Sequence, residues 1–276
     1  KILILLSLKK PTFYILYSIA MLFISCSGTK ILSVTETDIQ LTDSIKASHF
    51  EISKIIEPYK ENLEKSMNEV LNISDVAMKK PERDHQATQT QCLLGNFVAD
   101  LSFNIGQEIY SPKDGKPIDF CVLNNGGLRT SLPKGEITRG KAYELMPFEN
   151  QLVVLTLSGE LTKKLLDYII SSKGIPVSNI NISIKQKGTC NIFINGAPFD
   201  IAKSYKVITS DYLANGGDKM TFFSEHNNYE VIGIKLRDAI IKHIEDEKSG
   251  GRNITSSLDK RIIIIEVILT ISLFII

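Results

Sequence analysis

Asn124-Asn125-Gly126-Gly127-Leu128-Arg129 and Asp211-Tyr212-Leu213-Ala214-Asn215-Gly216-Gly217-Asp218 are the two stretches on which the reading of this chain turns. Each follows an apolar run of strand character, Asp119-Phe120-Cys121-Val122-Leu123 before the first and Tyr205-Lys206-Val207-Ile208-Thr209 before the second. The glycine pairs therefore mark bends at strand ends. Glycine accepts φ > 0 and lets a ligand come close to the main chain. Ligand sites in mixed α/β structures commonly lie at such ends. One Gly-Gly alone is as readily an ordinary turn. Two of them, with Asn, Arg and Asp alongside, favour a site.

Polar and aromatic residues cluster around the bends. Arg129 follows the first pair closely, and a guanidinium there can hold phosphate or carboxylate in a two-pronged grip; a salt bridge is the plainer alternative. Asn124 and Asn125 add donors and acceptors at the same bend. Phe148, in Pro147-Phe148-Glu149-Asn150, stands just after a helix end where an aromatic can face solvent, although core packing is the commoner fate of phenylalanine. Tyr212 opens the second bend and Asp218 closes it. Two aromatics can sandwich a planar base, and stacking contributes about 1–3 kcal/mol per base. Neither bend has P-loop or Rossmann spacing.

Further out, strands and helices alternate irregularly. Residues 44–57 and the stretch after Pro58, with Tyr59, Leu63, Met67 and Val70 on one face, suggest two helices. A third carries Leu93, Leu94, Phe97, Val98, Asp100 and Leu101. Residues 134–137 read as a turn. Thr138 can cap a short helix over 139–146, residues 151–157 read as a strand, and Ser158 can cap the next helix with Leu161, Leu165, Tyr168 and Ile169 on its face. Asn195-Gly196 after residues 191–194 signals a hairpin. Residues 232–244 read as a last amphipathic helix with Ile234, Ala239, Ile240 and Ile244 toward the core. The fold class expected is α+β: a single mixed-sheet domain with flanking helices.

The two ends differ from the middle. Lys9-Lys10, the apolar residues 13–24 and Ser25-Cys26 form an export signal, and Phe23-Ile24-Ser25-Cys26 resembles a bacterial lipobox with Cys26 as the lipidated residue. A plain signal peptide or membrane anchor is the other reading. Lys1 at the first position reads as a fragment or mis-called start. Residues 27–44 read as a tether and 45–262 as the domain. The apolar residues 263–276 read as a tail of doubtful status: an artefact appended to a complete domain, or a short anchor. The expected location is outside the cytoplasm, on a bacterial membrane facing the periplasm or exterior. With 32 basic and 31 acidic residues the formal charge is +1, which argues against a DNA or RNA surface. Cys92, Cys121 and Cys190 lack zinc spacing, and Cys92 and Cys121 read as buried small hydrophobes.

Asn-x-Gly-Gly-x-Arg, Pro-Phe-x-Asn and Tyr-Leu-Ala-Asn-Gly-Gly-Asp, in this order, resemble the C-terminal domain of the 5′-nucleotidase family, which includes UDP-sugar hydrolases and 2′,3′-cyclic nucleotide phosphodiesterases. Leu94-Gly95-Asn96-Phe97-Val98-Ala99-Asp100 looks like that domain's early helix, and Leu258-Asp259-Lys260-Arg261-Ile262 like its usual end. The resemblance implies that Asn124 and Arg129 hold phosphate or sugar, that Phe148 and Tyr212 stack on the base, and that Asn150 and Asp218 contact base or ribose. Gln91 and Thr88 stand where family members often carry glutamate and arginine.

In that family a separate N-terminal metallophosphatase domain performs hydrolysis with two metal ions. Its Asp, His and Asn clusters do not occur in this sequence: His49, His85, His226 and His243 are scattered, without ligand spacing. No catalytic or metal-ligating residue and no cofactor is therefore assigned to this chain. The expected partners are a nucleotide or nucleoside and a separate metallophosphatase chain carrying a divalent metal pair. A nucleotide-binding lipoprotein without catalysis and a degenerate scaffold are the alternatives.

Overall fold

The computed structural model describes residues 50–80, 90–172, 174–185 and 190–265. Cys26, His49, His85, Thr88, the tether and the tail beyond Ile265 lie outside them. The packing set out below belongs to the unit Lys54–Ile276.

The central sheet has the order β10-β4-β9-β2-β5, from strands β2 (Phe120–Val122), β4 (Gln151–Leu157), β5 (Val177–Ser178), β9 (Tyr205–Ser210) and β10 (Asn228–Lys235). Strand β9 is buried along its whole length. A strand covered on both faces reads as a continuous apolar run, which is the pattern of Val207-Ile208 and its neighbours. Alternate side chains feed two cores. Cys121, Leu152, Val154 and Ile208 pack with helix α2 (Leu93–Ile109) and helix α6 (Leu236–Ser249). Phe120, Val122, Val153, Leu155 and Val207 pack on the other face with helix α4 (Gly159–Ser171).

That second core is closed by a four-stranded sheet of order β11-β6-β7-β8: β6 (Ile180–Lys185), β7 (Cys190–Ile194), β8 (Ala197–Pro198) and β11 (Ile262–Ile265). Asn195 and Gly196, with φ of 50° and 72°, form the expected tight hairpin between β7 and β8. A two-stranded ribbon of β1 (Val70–Ser74) and β3 (Gly135–Thr138) is the third sheet among the described residues. The α+β class with a mixed central sheet is as expected, and two smaller sheets accompany it.

Local signals that carry their own hydrogen bond came out as read. Thr138 Oγ1 accepts from Lys141 N at the start of α3 (Arg139–Leu145), and Ser158 Oγ from Leu161 N at the start of α4. Cys121 is buried as expected, whereas Cys92 is only half-buried, since it caps α2 with its Sγ accepting from Gly95 N. His243 packs edge-on against Phe97.

Five expectations are corrected. Pro58 does not divide two helices: α1 runs unbroken over Phe50–Met67 with the proline inside it. Lys60 pairs with Glu57 across that point and with Glu64 one turn on, giving i,i+3 and i,i+4 support to a ladder missing one N–H. Val70 is the first residue of β1, not part of the helical face. Residues 135–138 form a strand rather than a turn, because β1 supplies an antiparallel partner far away in sequence and Ile137 is buried between them. Ile232 and Ile234 lie in β10, and the helix begins only at Leu236: the two alternate with period two and pack against the first core, while β10 pairs with β4. Finally, Ile263, Ile264 and Ile265 belong to β11, paired in parallel with β6, so the domain reaches beyond 262.

Candidate functional site

Strand register brings the quoted stretches to one edge. Cys121 on β2 lies beside Ile208 in parallel, and Leu152 on β4 faces Ser210 in antiparallel. The C-terminal ends of β2 and β9 therefore meet the N-terminal end of β4. Just beyond them come residues 124–129, 211–218, which open with the one-turn helix α5 (Asp211–Ala214), and 147–150.

Asp218 ties the two bends together. Its Oδ2 accepts from Asn124 Nδ2 at 2.6 Å and its Oδ1 from Tyr212 OH at 3.0 Å. Its backbone carbonyl accepts from Tyr168 OH on α4 at 2.8 Å. Asp218 holds a left-handed conformation, φ 49°, reached through Gly216 at φ 89°. Gly217 lies against the Tyr212 ring: a Cβ there would be 2.5 Å from Tyr212 Cε1 and 2.6 Å from its carbonyl oxygen. The Gly-Gly pair is thus the condition for folding the bend back onto the tyrosine.

The first bend is a single 3-10 turn over Asn125–Gly127, after which Arg129 N donates to Leu145 O at 3.0 Å. The Arg129 guanidinium sits over Phe148, 5.8 Å from the ring centroid, and among the described residues it pairs with no carboxylate. Asn125 Nδ2 donates to Gly174 O at 3.4 Å. Asn150 reaches the second bend: its Nδ2 donates to Asp211 Oδ1 at 2.8 Å, and that oxygen also accepts from Tyr212 N at 2.7 Å. The loop bearing Phe148 and the turn bearing Tyr212 are so joined through Asp211. Both rings remain open to solvent, Phe148 at 41% and Tyr212 at 46%.

The base of the Phe148 loop rests on the start of α6. Lys235 and Arg237 both pair with Glu149, and these two hydrogen bonds, that of Lys235 first, hold the Glu149 carboxyl down to about 2. All six side chains expected at the site lie at this edge. Three that the sequence reading did not assign to it join them: Tyr168, Asp211 and Arg237. Periodicity places Tyr168 on a helix face, and its hydroxyl reaches out from that face to Asp218.

This edge gathers open aromatics, a guanidinium that pairs with no carboxylate among the described residues, and paired amides at strand ends, a set of groups with the chemistry to meet a planar, anionic ligand. The chain belongs to the family described as 5′-nucleotidase, C-terminal domain, whose model matches residues 70–225. It is 26% identical over 231 residues to a cell wall protein of Listeria monocytogenes, covering 76% of this chain and 29% of that protein. It is 27% identical over 204 residues to a trifunctional nucleotide phosphoesterase of Bacillus subtilis, covering 66% of this chain and 13% of that protein. The fold matches the crystal structure of a 5′-nucleotidase precursor from Thermus thermophilus with a TM-score of 0.63 at 22% identity, covering 78% of this chain and 43% of that one. The chain thus spans less than a third of the length of either curated relative.

Proposed function

We propose that this chain grips a nucleotide for hydrolysis by another polypeptide. Phe148 and Tyr212 take the two faces of the base, Arg129 with Asn124 holds the phosphate or sugar, and Asn150 and Asp218 read the polar edge of base or ribose. The observation that carries this reading is the Asp218 bridge, which couples Asn124 of one bend to Tyr212 of the other while both aromatic rings stay exposed. In this reading the reaction chemistry belongs to a separate exported metallophosphatase with its divalent metal pair. This chain contributes stacking, charge and orientation.

The test is titration of the purified chain with AMP, followed by phosphate release with divalent metal, with and without the metallophosphatase. Binding by the chain and release only with the partner are expected. Release by the chain alone overturns the division of labour. Binding without release under either condition favours a non-catalytic nucleotide-binding lipoprotein.

Gly217→Ala is expected to push the Tyr212 ring out of place and weaken AMP binding by about 1–3 kcal/mol, one stacking contact. Wild-type affinity in that variant would show that the ring does not contribute.

Lipid attachment at Cys26, outside the described residues, is part of the same proposal. A palmitate analogue should label the wild type in cells and not Cys26→Ser. Equal labelling of the two removes the anchor from the scheme.

A further inference from the structure

The start of α6 does more than begin a helix. Leu236 N donates to Asn150 O at 2.9 Å, Lys235 pairs with Glu149, and Arg237 sends its guanidinium under the same loop. Arg237 Nη1 lies 3.5 Å from the carbonyl oxygens of both Met146 and Phe148, and Nη2 donates to Glu149 Oε1. The guanidinium carbon is 4.3 Å from the Tyr143 ring centroid. Arg237 is only 6% exposed, although an apolar side chain could fill that space without the cost of burying a charge. Among the described residues its Nε has no hydrogen-bond partner, while Nη1 and Nη2 meet the Met146 and Phe148 carbonyls and the Glu149 carboxylate, contacts that bracket one residue whose own side chain faces solvent, Phe148.

We infer that Arg237 is the positioning residue for Phe148, fixing the ring's orientation before ligand arrives and so setting the affinity for the base rather than for the phosphate. This rests on the nucleotide-grip reading above. An exposed aromatic on an unpinned loop must be ordered at the moment of binding, and that cost is subtracted from affinity. Arginine suits the task because its planar fork reaches two carbonyls and a carboxylate while stacking on Tyr143. A lysine keeps the charge opposite Glu149 but supplies neither fork nor plane.

The test uses the full chain and two probes: etheno-AMP, whose fluorescence is quenched on stacking, and ribose 5-phosphate, which has no base. Arg237→Lys and Phe148→Ala should each weaken etheno-AMP by about five- to tenfold, with reduced quenching at saturation. Ribose 5-phosphate affinity should stay within about twofold of wild type, and the double variant should be no weaker than Phe148→Ala alone. Should Arg237→Lys fail to fold, Glu149→Gln, at an exposed carboxylate, should give the same pattern at about two- to threefold. The inference is overturned by wild-type affinity and quenching in Arg237→Lys, by losses that add in the double variant, or by an equal loss for ribose 5-phosphate. A Phe148→Ala chain that binds etheno-AMP normally overturns the nucleotide-grip reading itself, and this inference with it.

Discussion

Replacing Phe148 and Tyr212 together by alanine should lower AMP affinity by at least about 30-fold, since stacking is worth about 1–3 kcal/mol per base and two ring faces are removed. Each single replacement should cost about tenfold by the same measure. The loss should come without unfolding, because both rings are exposed and neither belongs to a core cluster. Tyr212→Phe separates the ring from its hydroxyl. It keeps the stacking surface and loses the hydroxyl's two bonds to Asp218, one donated to Oδ1 and one accepted from the backbone N, so most of the affinity should remain. Calorimetric titration reads all four variants. A double alanine variant that binds AMP like the wild type removes base stacking from the account of this site.

The second large effect is on stability. Arg261, 6% exposed, donates from Nη1 to Asp100 Oδ1 at 2.7 Å and to Val177 O at 2.6 Å, and from Nη2 to Asp100 Oδ2 at 2.9 Å and Asp259 Oδ2 at 2.7 Å. Asp100 Oδ1 also accepts from Ser178 OH at 2.6 Å. One guanidinium thus joins helix α2, strand β5 and the segment leading into β11. Arg261→Ala leaves those acceptors without their cation, and the expected cost is about 2–4 kcal/mol, below the usual range for a buried pair because the carboxylates are partly solvated. For a domain of this size that is a fall in Tm of about 5–15 °C. Burial opposes ionisation of Asp259, yet its hydrogen bond to Arg261, the attraction of that charge and two backbone hydrogen bonds together outweigh this and leave its carboxyl below the ordinary value. A carboxyl depressed in the folded state stabilises above its unfolded pKa, and that contribution is lost as pH falls through the folded one. Acidification should therefore narrow the gap between wild type and Arg261→Ala. A variant melting within a degree or two of wild type at neutral pH would show that the network is dispensable.

What was legible in the sequence was local. Thr138 and Ser158 announced helix starts because a hydroxyl three residues before an amide decides the matter within one turn. The bends were legible because glycine pairs after apolar runs have few other uses. Their meeting was not, since it depends on β9 lying parallel to β2 and antiparallel to β4, a register no short window contains. The largest error had a traceable effect. Reading residues 232–244 as one helix placed Arg237 in its middle, an ordinary polar position. The strand β10 takes the first part of that segment, so Arg237 falls in the first turn of α6, against the Phe148 loop. Asp211 was passed over too. It opens the second quoted stretch, and only the fold shows it both starting a one-turn helix and accepting from Asn150.

The placement of α6 bears on how the protein is made. Synthesis runs from the amino end, and domains generally fold as units once enough chain has emerged. When Phe148 leaves the ribosome, β9 and the Tyr212 turn have still to be translated, and Arg237 comes later again. A nascent chain halted just short of Leu236 carries both aromatics with nothing beneath the first of them. Binding competence should therefore appear late and abruptly along the nascent chain, with the emergence of a helix that touches no part of the ligand.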